Sequence, residues 1–224
     1  RRDADSPAET ADALVRALIY GETHPYGRRI SGTLESLARI DRQAIVDFHR
    51  THCLPERATL TIVGDIDPGA ALDAARRGFG DWTSAPPPPE AVLAQAASNG
   101  RRRAVRLLPG KVQADVAYGF AGIARSDVRY HAFWIMNNVL GQYGLGGRLG
   151  DSIRERQGMA YYVYSGLEAN VGPGPLIIRA GVSPDNVERA IASIDEEVGM
   201  MGAEGVSDKE LADAKQYLIG SIPR

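Results

Sequence analysis

Apolar and polar residues alternate along this chain with two periods, one helical and one of strand type, and the changes between them mark its elements. Ser6-Pro7-Ala8-Glu9 combines an N-cap, a proline at the first helical position and a glutamate at the capping-box position, so a helix starts here. Leu14, Val15 and Leu18 give it an apolar face up to Tyr20. His24-Pro25-Tyr26-Gly27 then predicts a loop. Thr33 opens a short helical turn, and Asp41 caps a longer helix with Ile45, Val46, Phe48 and His49 as interior candidates. Ala58-Thr59-Leu60-Thr61-Ile62-Val63 is rich in β-branched residues and ends at Gly64-Asp65, the pattern of a buried strand. Asp67 and Pro68 cap and start a helix through Phe79, with Trp82 following.

From Thr83 to Gly100 the periodicity is lost. Pro86 to Pro89 and the Ala, Ser, Asn and Gly after them favour extended conformations that resist packing, so this stretch predicts a linker. Beyond it, Arg103 to Leu108 and Val112 to Phe120 read as two strands around Pro109-Gly110. Val128 to Leu140 is apolar almost all round and predicts a deeply packed helix, with His131 at a core or boundary position. Pro173-Gly174 turns the chain into a strand from Leu176 to Val182. Ser183-Pro184 starts a helix whose Val187, Ala190, Ile191, Ile194, Val198 and Met201 follow the 3.6-residue period and should cover the sheet. Ser207 and Glu210 form a capping box for a last helix bearing Leu211, Ala214 and Leu218.

The stretch Gly144 to Ser165 carries the candidate chemistry. It reads as a glycine-rich turn, a short helix with Leu149 and Ile153 on its apolar face, a glycine stop at Gly158 and a strand. Period-two alternation puts Met159, Tyr161, Val163 and Ser165 on one face of that strand and Ala160, Tyr162 and Tyr164 on the other. Arg154 and Arg156 lie in the last turn of the helix, where cations suit the dipole. Arg154 and Tyr161 can therefore converge across one corner. A guanidinium and a phenol there offer several donors to a peptide carbonyl or a developing oxyanion. Spacing alone equally allows a solvated cation and a half-buried strand aromatic.

Composition narrows the functional classes. With 224 residues, no initiating Met and a start at Arg-Arg-Asp, the chain reads as a piece of a longer protein with two domains' worth of sequence. It is 44% hydrophobic and 24% charged, as in ordinary globular proteins. A net charge of −2, with both signs interspersed, provides no basic stripe for nucleic acid or anionic lipid. The one sharp basic cluster, Arg101 to Arg103, reads as a solvated strand edge. No apolar run approaches the ~18 residues that span a bilayer. Cys53 is the sole cysteine, which excludes an internal disulfide and a multi-thiolate zinc site and leaves the compartment open. His24 in its turn can be a ligand, a base or a structural residue. His49 and His52 stand three apart without a third ligand in view, which makes core or surface roles the better reading.

The run GGRLGDSIRERQGMAYYVYS resembles the corresponding stretch in the C-terminal half of the pitrilysin/insulinase-type (M16) metallopeptidases, with Gly-Met-Ala-Tyr in place of the family's Gly-Leu-Ala-Tyr. In that family an Arg and a Tyr seven positions apart bind substrate, which implies that role for Arg154 and Tyr161. A second similarity lies upstream and in the right order: HPYG, a capped helix, ATLTIVGD and a helix ending FGDW resemble the second half of the family's N-terminal domain. The resemblance implies an α+β fold of two incomplete M16-type sandwich domains. Residues 1–82 are the C-terminal part of the first, 83–100 the Pro-rich linker, and 101–224 most of the second, whose last part is expected to be missing.

Active members of that family carry His-x-x-Glu-His and a further glutamate that hold a zinc ion. No such five-residue pattern occurs here, and in the family both motifs fall upstream of the region that resembles this chain. No metal ligands or complete catalytic set are therefore expected in these residues. Zinc is expected in the full-length protein or in a partner domain or subunit bearing the motif, as in the pairs that bacterial members form. Ser31, where a zinc-bearing member is expected to have an aliphatic residue, tilts the reading toward the non-zinc partner. The resemblance thus implies a peptide substrate held by Arg154 and Tyr161, with the chain inactive by itself. The alternatives are a structural subunit resembling the core proteins of respiratory complexes, or a module that binds extended peptides and cleaves none.

Overall fold

The computed structural model describes residues 6–84, 86, 89, 93, 96, 100–142 and 146–221. Most of the expected linker, and Gly144 at the start of the glycine-rich turn, lie outside the described residues. The chain forms two compact units, residues 1–30 with 93–224 and residues 31–92.

The first unit is built on a three-stranded antiparallel sheet. Its strands are β1 (Ala114–Ala121), β2 (Ala160–Leu167) and β3 (Pro175–Val182), in the order β1-β3-β2. β3 is central and reads PLIIRAGV, apolar on both faces except for Arg179, as suits a strand covered on both sides. On one face Leu176, Ile178, Ala180 and Val182 join Val163 and Ala160 of β2 in the main core. Helix α6 (Val187–Glu204) covers this face through Ala190 and Ile194, both 0% exposed, as its period predicts. Burying two such side chains contributes about 2–4 kcal/mol, so this contact outweighs any single surface ion pair.

The opposite face receives α1 (Pro7–Tyr20), started by Ser6 and Pro7 as the sequence requires. Val15, Ile19 and Tyr20 pack on Ile177 and Ala117. Charge fixes the same contact. Arg16 donates to Asp12 at 2.7 Å and to both oxygens of Glu168 at 2.6 and 2.7 Å, while Arg179 donates to Asp12 at 2.7 Å and to Glu168 at 2.9 Å. Two guanidinium groups and two carboxylates thus close a ring between α1, β3 and the end of β2.

The apolar stretch expected as one helix from Val128 to Leu140 is α5 (Tyr130–Asn137) followed by a π-helical turn, Asn138–Gln142. Val128 stays outside, 97% exposed, and His131 is exposed rather than at the core, because the helix begins only at Tyr130. The expected strand Arg103–Leu108 is absent, with Val105 and Leu107 exposed. Instead of a strand edge, ion pairs from Arg101 to Asp195 and from Arg103 to Glu188 set the segment along α6. The last helix, α7 (Asp208–Gly220), carries the predicted capping box of Ser207 and Glu210.

In the second unit, α2 (Leu34–Ala38), α3 (Arg42–His52) and α4 (Pro68–Phe79) start at Thr33, Asp41 and Asp67 as their caps dictate. Leu54 and Ala71 are buried, but other apolar positions of this unit remain open. Ile45 and Phe48 of α3, expected inside, are exposed, and Ala58–Val63, expected as a buried strand, is extended with Leu60, Ile62 and Val63 at the surface. The physical reason is that β-propensity expresses a fit to neighbouring strands. Among the described residues none runs beside this segment.

Candidate functional site

Arg154 lies in a π-helical segment, Gly150–Arg156, preceded by Leu149. Leu149 and Ile153, both 0% exposed, anchor it in the main core as their four-residue spacing predicts. The wider winding carries through to its end. Gly158 N–H donates to the Arg154 carbonyl at 3.0 Å and Met159 N–H to that of Ile153 at 3.1 Å. The turn requires φ +62° at Gly158, a conformation that a Cβ disfavours. Polar contacts dock the same turn on α6. Gln157 donates to Ser193 at 3.0 Å, and Arg156 pairs with Asp151 at 2.8 Å and faces the buried Glu197 at 3.7 Å. The Arg154 side chain projects outward from this fixed backbone, and among the described residues its nearest carboxylate is Glu155 at 4.0 Å.

Tyr161 follows at the start of β2, where the ladder is irregular. Ala160 pairs with Val182 and Tyr162 with Gly181, so Tyr161 is an inserted residue, a β-bulge. The bulge corrects the expected alternation. Ala160 shares the core face with Val163 and Ser165, while Tyr161 is 63% exposed. Tyr162 and Tyr164 face the α1 side, where the Tyr162 hydroxyl donates to Asp115 and Arg179 sits over the Tyr164 ring at 5.9 Å. Burial first, and the bond to Asp115 next, push the Tyr162 phenol well above its ordinary pKa, so it remains a donor.

Arg154 and Tyr161 therefore flank the same glycine-capped corner, both solvent-facing, and among the described residues no hydrogen bond joins them. Their donors are open to a third group. Sequence reasoning missed the bulge, although Gly181 inside a strand pattern is the sign that could have revealed it, since strand glycines mark bulges and close approaches. It also missed the pairing of Arg148 with Glu210, which nothing in the sequence marks.

The histidines play other parts. His24 is buried against Tyr20 and accepts from Tyr26 N–H at 3.0 Å, capping the turn Pro25–Gly27. His52 lies against Phe48 at the surface, with ring centroids 4.6 Å apart and planes tilted by 35°. Among the described residues, no three His, Cys, Asp or Glu side chains are grouped to hold a metal ion, so the donor set present does not fit zinc. No helix among them is long and apolar enough to cross a membrane.

A family model described as the peptidase M16 inactive domain matches residues 39–218. The chain is 29% identical to an uncharacterized zinc protease of Mycobacterium leprae, covering 97% of this chain and 49% of that protein. It is 26% identical to an uncharacterized zinc protease of Bacillus subtilis, covering 97% and 52% respectively. It thus spans about half the length of the curated relatives it matches. The crystal structure of a peptidase M16 inactive domain from Pseudomonas fluorescens superposes with a TM-score of 0.87 at 26% identity, over 99% of this chain and 53% of that one. A protease from Helicobacter pylori gives the same TM-score at 18% identity, over 98% and 53%, and shares the fold.

Proposed function

Because the chain belongs to the peptidase M16 family, we propose that it is the peptide-holding part of a zinc-dependent peptidase or of its non-zinc partner subunit. The observation that carries this reading is the corner itself: Arg154 and Tyr161 are both exposed, on backbone fixed by a buried helix face, a glycine cap and a bulge. Rigid, outward-facing donors suit a peptide carbonyl or the oxyanion formed when it is attacked. The metal and the water that attacks the peptide belong to a domain or subunit bearing the zinc motif, since the described residues here offer no ligand set for it. Relatives described as zinc proteases, about twice the length of this chain, support that division.

The two-domain organisation, with a Pro-rich linker over 83–100, is part of the same proposal. In it, α1 comes from the first domain's sequence yet packs on the sheet that bears Tyr161. The test is Tyr161→Phe in the full-length protein, assayed with any zinc-bearing partner on an unstructured peptide. Turnover should fall by roughly tenfold or more with zinc content unchanged. Unchanged turnover overturns the reading and leaves a structural subunit. Binding of the peptide without any cleavage by the wild-type assembly identifies a peptide-binding module.

A further inference from the structure

We infer that Tyr162, Asp115 and Gly181 form a strap across all three strands that holds the bulge at Tyr161 and thereby aims its side chain. The inference rests on the peptide-holding reading of Tyr161 given above. Asp115 of β1 and Tyr162 of β2 are both registered opposite Gly181 of β3. The Tyr162 side chain crosses the glycine and donates its hydroxyl proton to the Asp115 carboxylate. Gln113 Nε2 donates to both oxygens of that carboxylate at 3.2 Å, so the acceptor is itself held.

Only glycine leaves room for this crossing. A Cβ on Gly181 would stand 2.9 Å from Tyr162 Cδ1 and 2.7 Å from Gln113 Nε2, and closer still to Tyr162 Cε1. Continued regularly from the pair Ala160–Val182, the ladder would place Tyr161 opposite Gly181. The strap puts Tyr162 there instead, and the extra residue must leave the ladder. A hydroxyl bonded to a carboxylate is among the stronger side-chain hydrogen bonds, which suits a pin that fixes register. Tyr162, Asp115 and Gly181 are thus positioning residues, each acting through Tyr161.

The experiment is a double-mutant cycle in the full-length protein, with any zinc-bearing partner, reading cleavage of an unstructured fluorogenic peptide. Tyr162→Phe should lower kcat by ~3- to 10-fold, and in a Tyr161→Phe background the further loss should shrink below ~2-fold, because both changes act through one phenol. Equal losses in both backgrounds would overturn the inference. Amide exchange over residues 158–165 of the same protein supplies an arm independent of activity. Asp115→Asn and Gly181→Ala should each speed that exchange by ~10-fold, and unchanged exchange would show that nothing is strapped. If Tyr161→Phe alone leaves turnover intact, the peptide-holding reading fails, while the exchange arm still decides whether the strap holds the bulge.

Discussion

The guanidinium of Arg148 and the carboxylate of Glu210 form a bidentate pair, with Nε at 2.6 Å from one oxygen and a terminal nitrogen at 2.8 Å from the other. That carboxylate also accepts from Ser207 N–H at 2.9 Å and from the Ser207 hydroxyl at 2.7 Å, so one side chain closes the α7 capping box and receives the arginine. The pair ties the turn before Arg154 to the start of α7, across 62 residues of chain.

Arg148 above all, and Ser207 with it, hold the Glu210 carboxyl down to about 2 from its ordinary 4.5. A folded-state value below the unfolded one means that this stabilisation is present above about 4.5 and is lost as pH falls through about 2. Discounted for solvent screening, it amounts to about 1 kcal/mol. Urea unfolding of wild type and Glu210→Gln should differ by that amount near neutrality and converge at the acid end of the window. Parallel curves at all pH values would remove the pair from the stability balance.

Arg154→Ala, like Tyr161→Phe, should reduce peptide turnover by roughly tenfold or more while leaving the thermal midpoint nearly unmoved, because the side chain is exposed. A large loss of stability with the lost activity would make Arg154 a structural residue.

The ring of Asp12, Arg16, Glu168 and Arg179 holds α1 by charge as well as by packing. Arg179→Met leaves Asp12 and Glu168 to Arg16 alone and opens the ring, which should cost roughly 1–3 kcal/mol, with faster amide exchange confined first to α1. Uniform acceleration across the sheet would show that the ring acts on the whole unit instead.

Gly158→Ala places a Cβ at φ +62°. The expected destabilisation is about 1–2 kcal/mol. Peptide turnover should fall further than stability does, since the carbonyl of Arg154 is bonded at this cap. Equal turnover at full folding would free the corner from the glycine.

Legibility followed the range of each interaction. Helix starts at Ser6, Thr33, Asp41, Asp67 and Ser207 were visible because a cap and its helix lie within four residues. The stripe of α6 and the anchors Leu149 and Ile153 were visible because one side of a helix answers one core. Ala58–Val63 and Arg103–Leu108 were misread because a strand needs a neighbour, and local composition does not say whether one is alongside. A family resemblance singles out Arg154 and Tyr161 as candidates, whereas the bulge that exposes Tyr161 depends on register with Gly181, twenty residues further on. Period-two reading assumes an unbroken ladder, and one inserted residue reverses it.

The solvent-facing run Ala58–Val63 has a consequence for the protein in the tube. Six uncharged, largely β-branched residues without proline, extended and without a strand beside them among the described residues, form a sticky end for another copy of themselves. Concentrated solutions of this chain by itself should turn cloudy on warming well before its sheet melts, and Leu60→Lys should keep them clear.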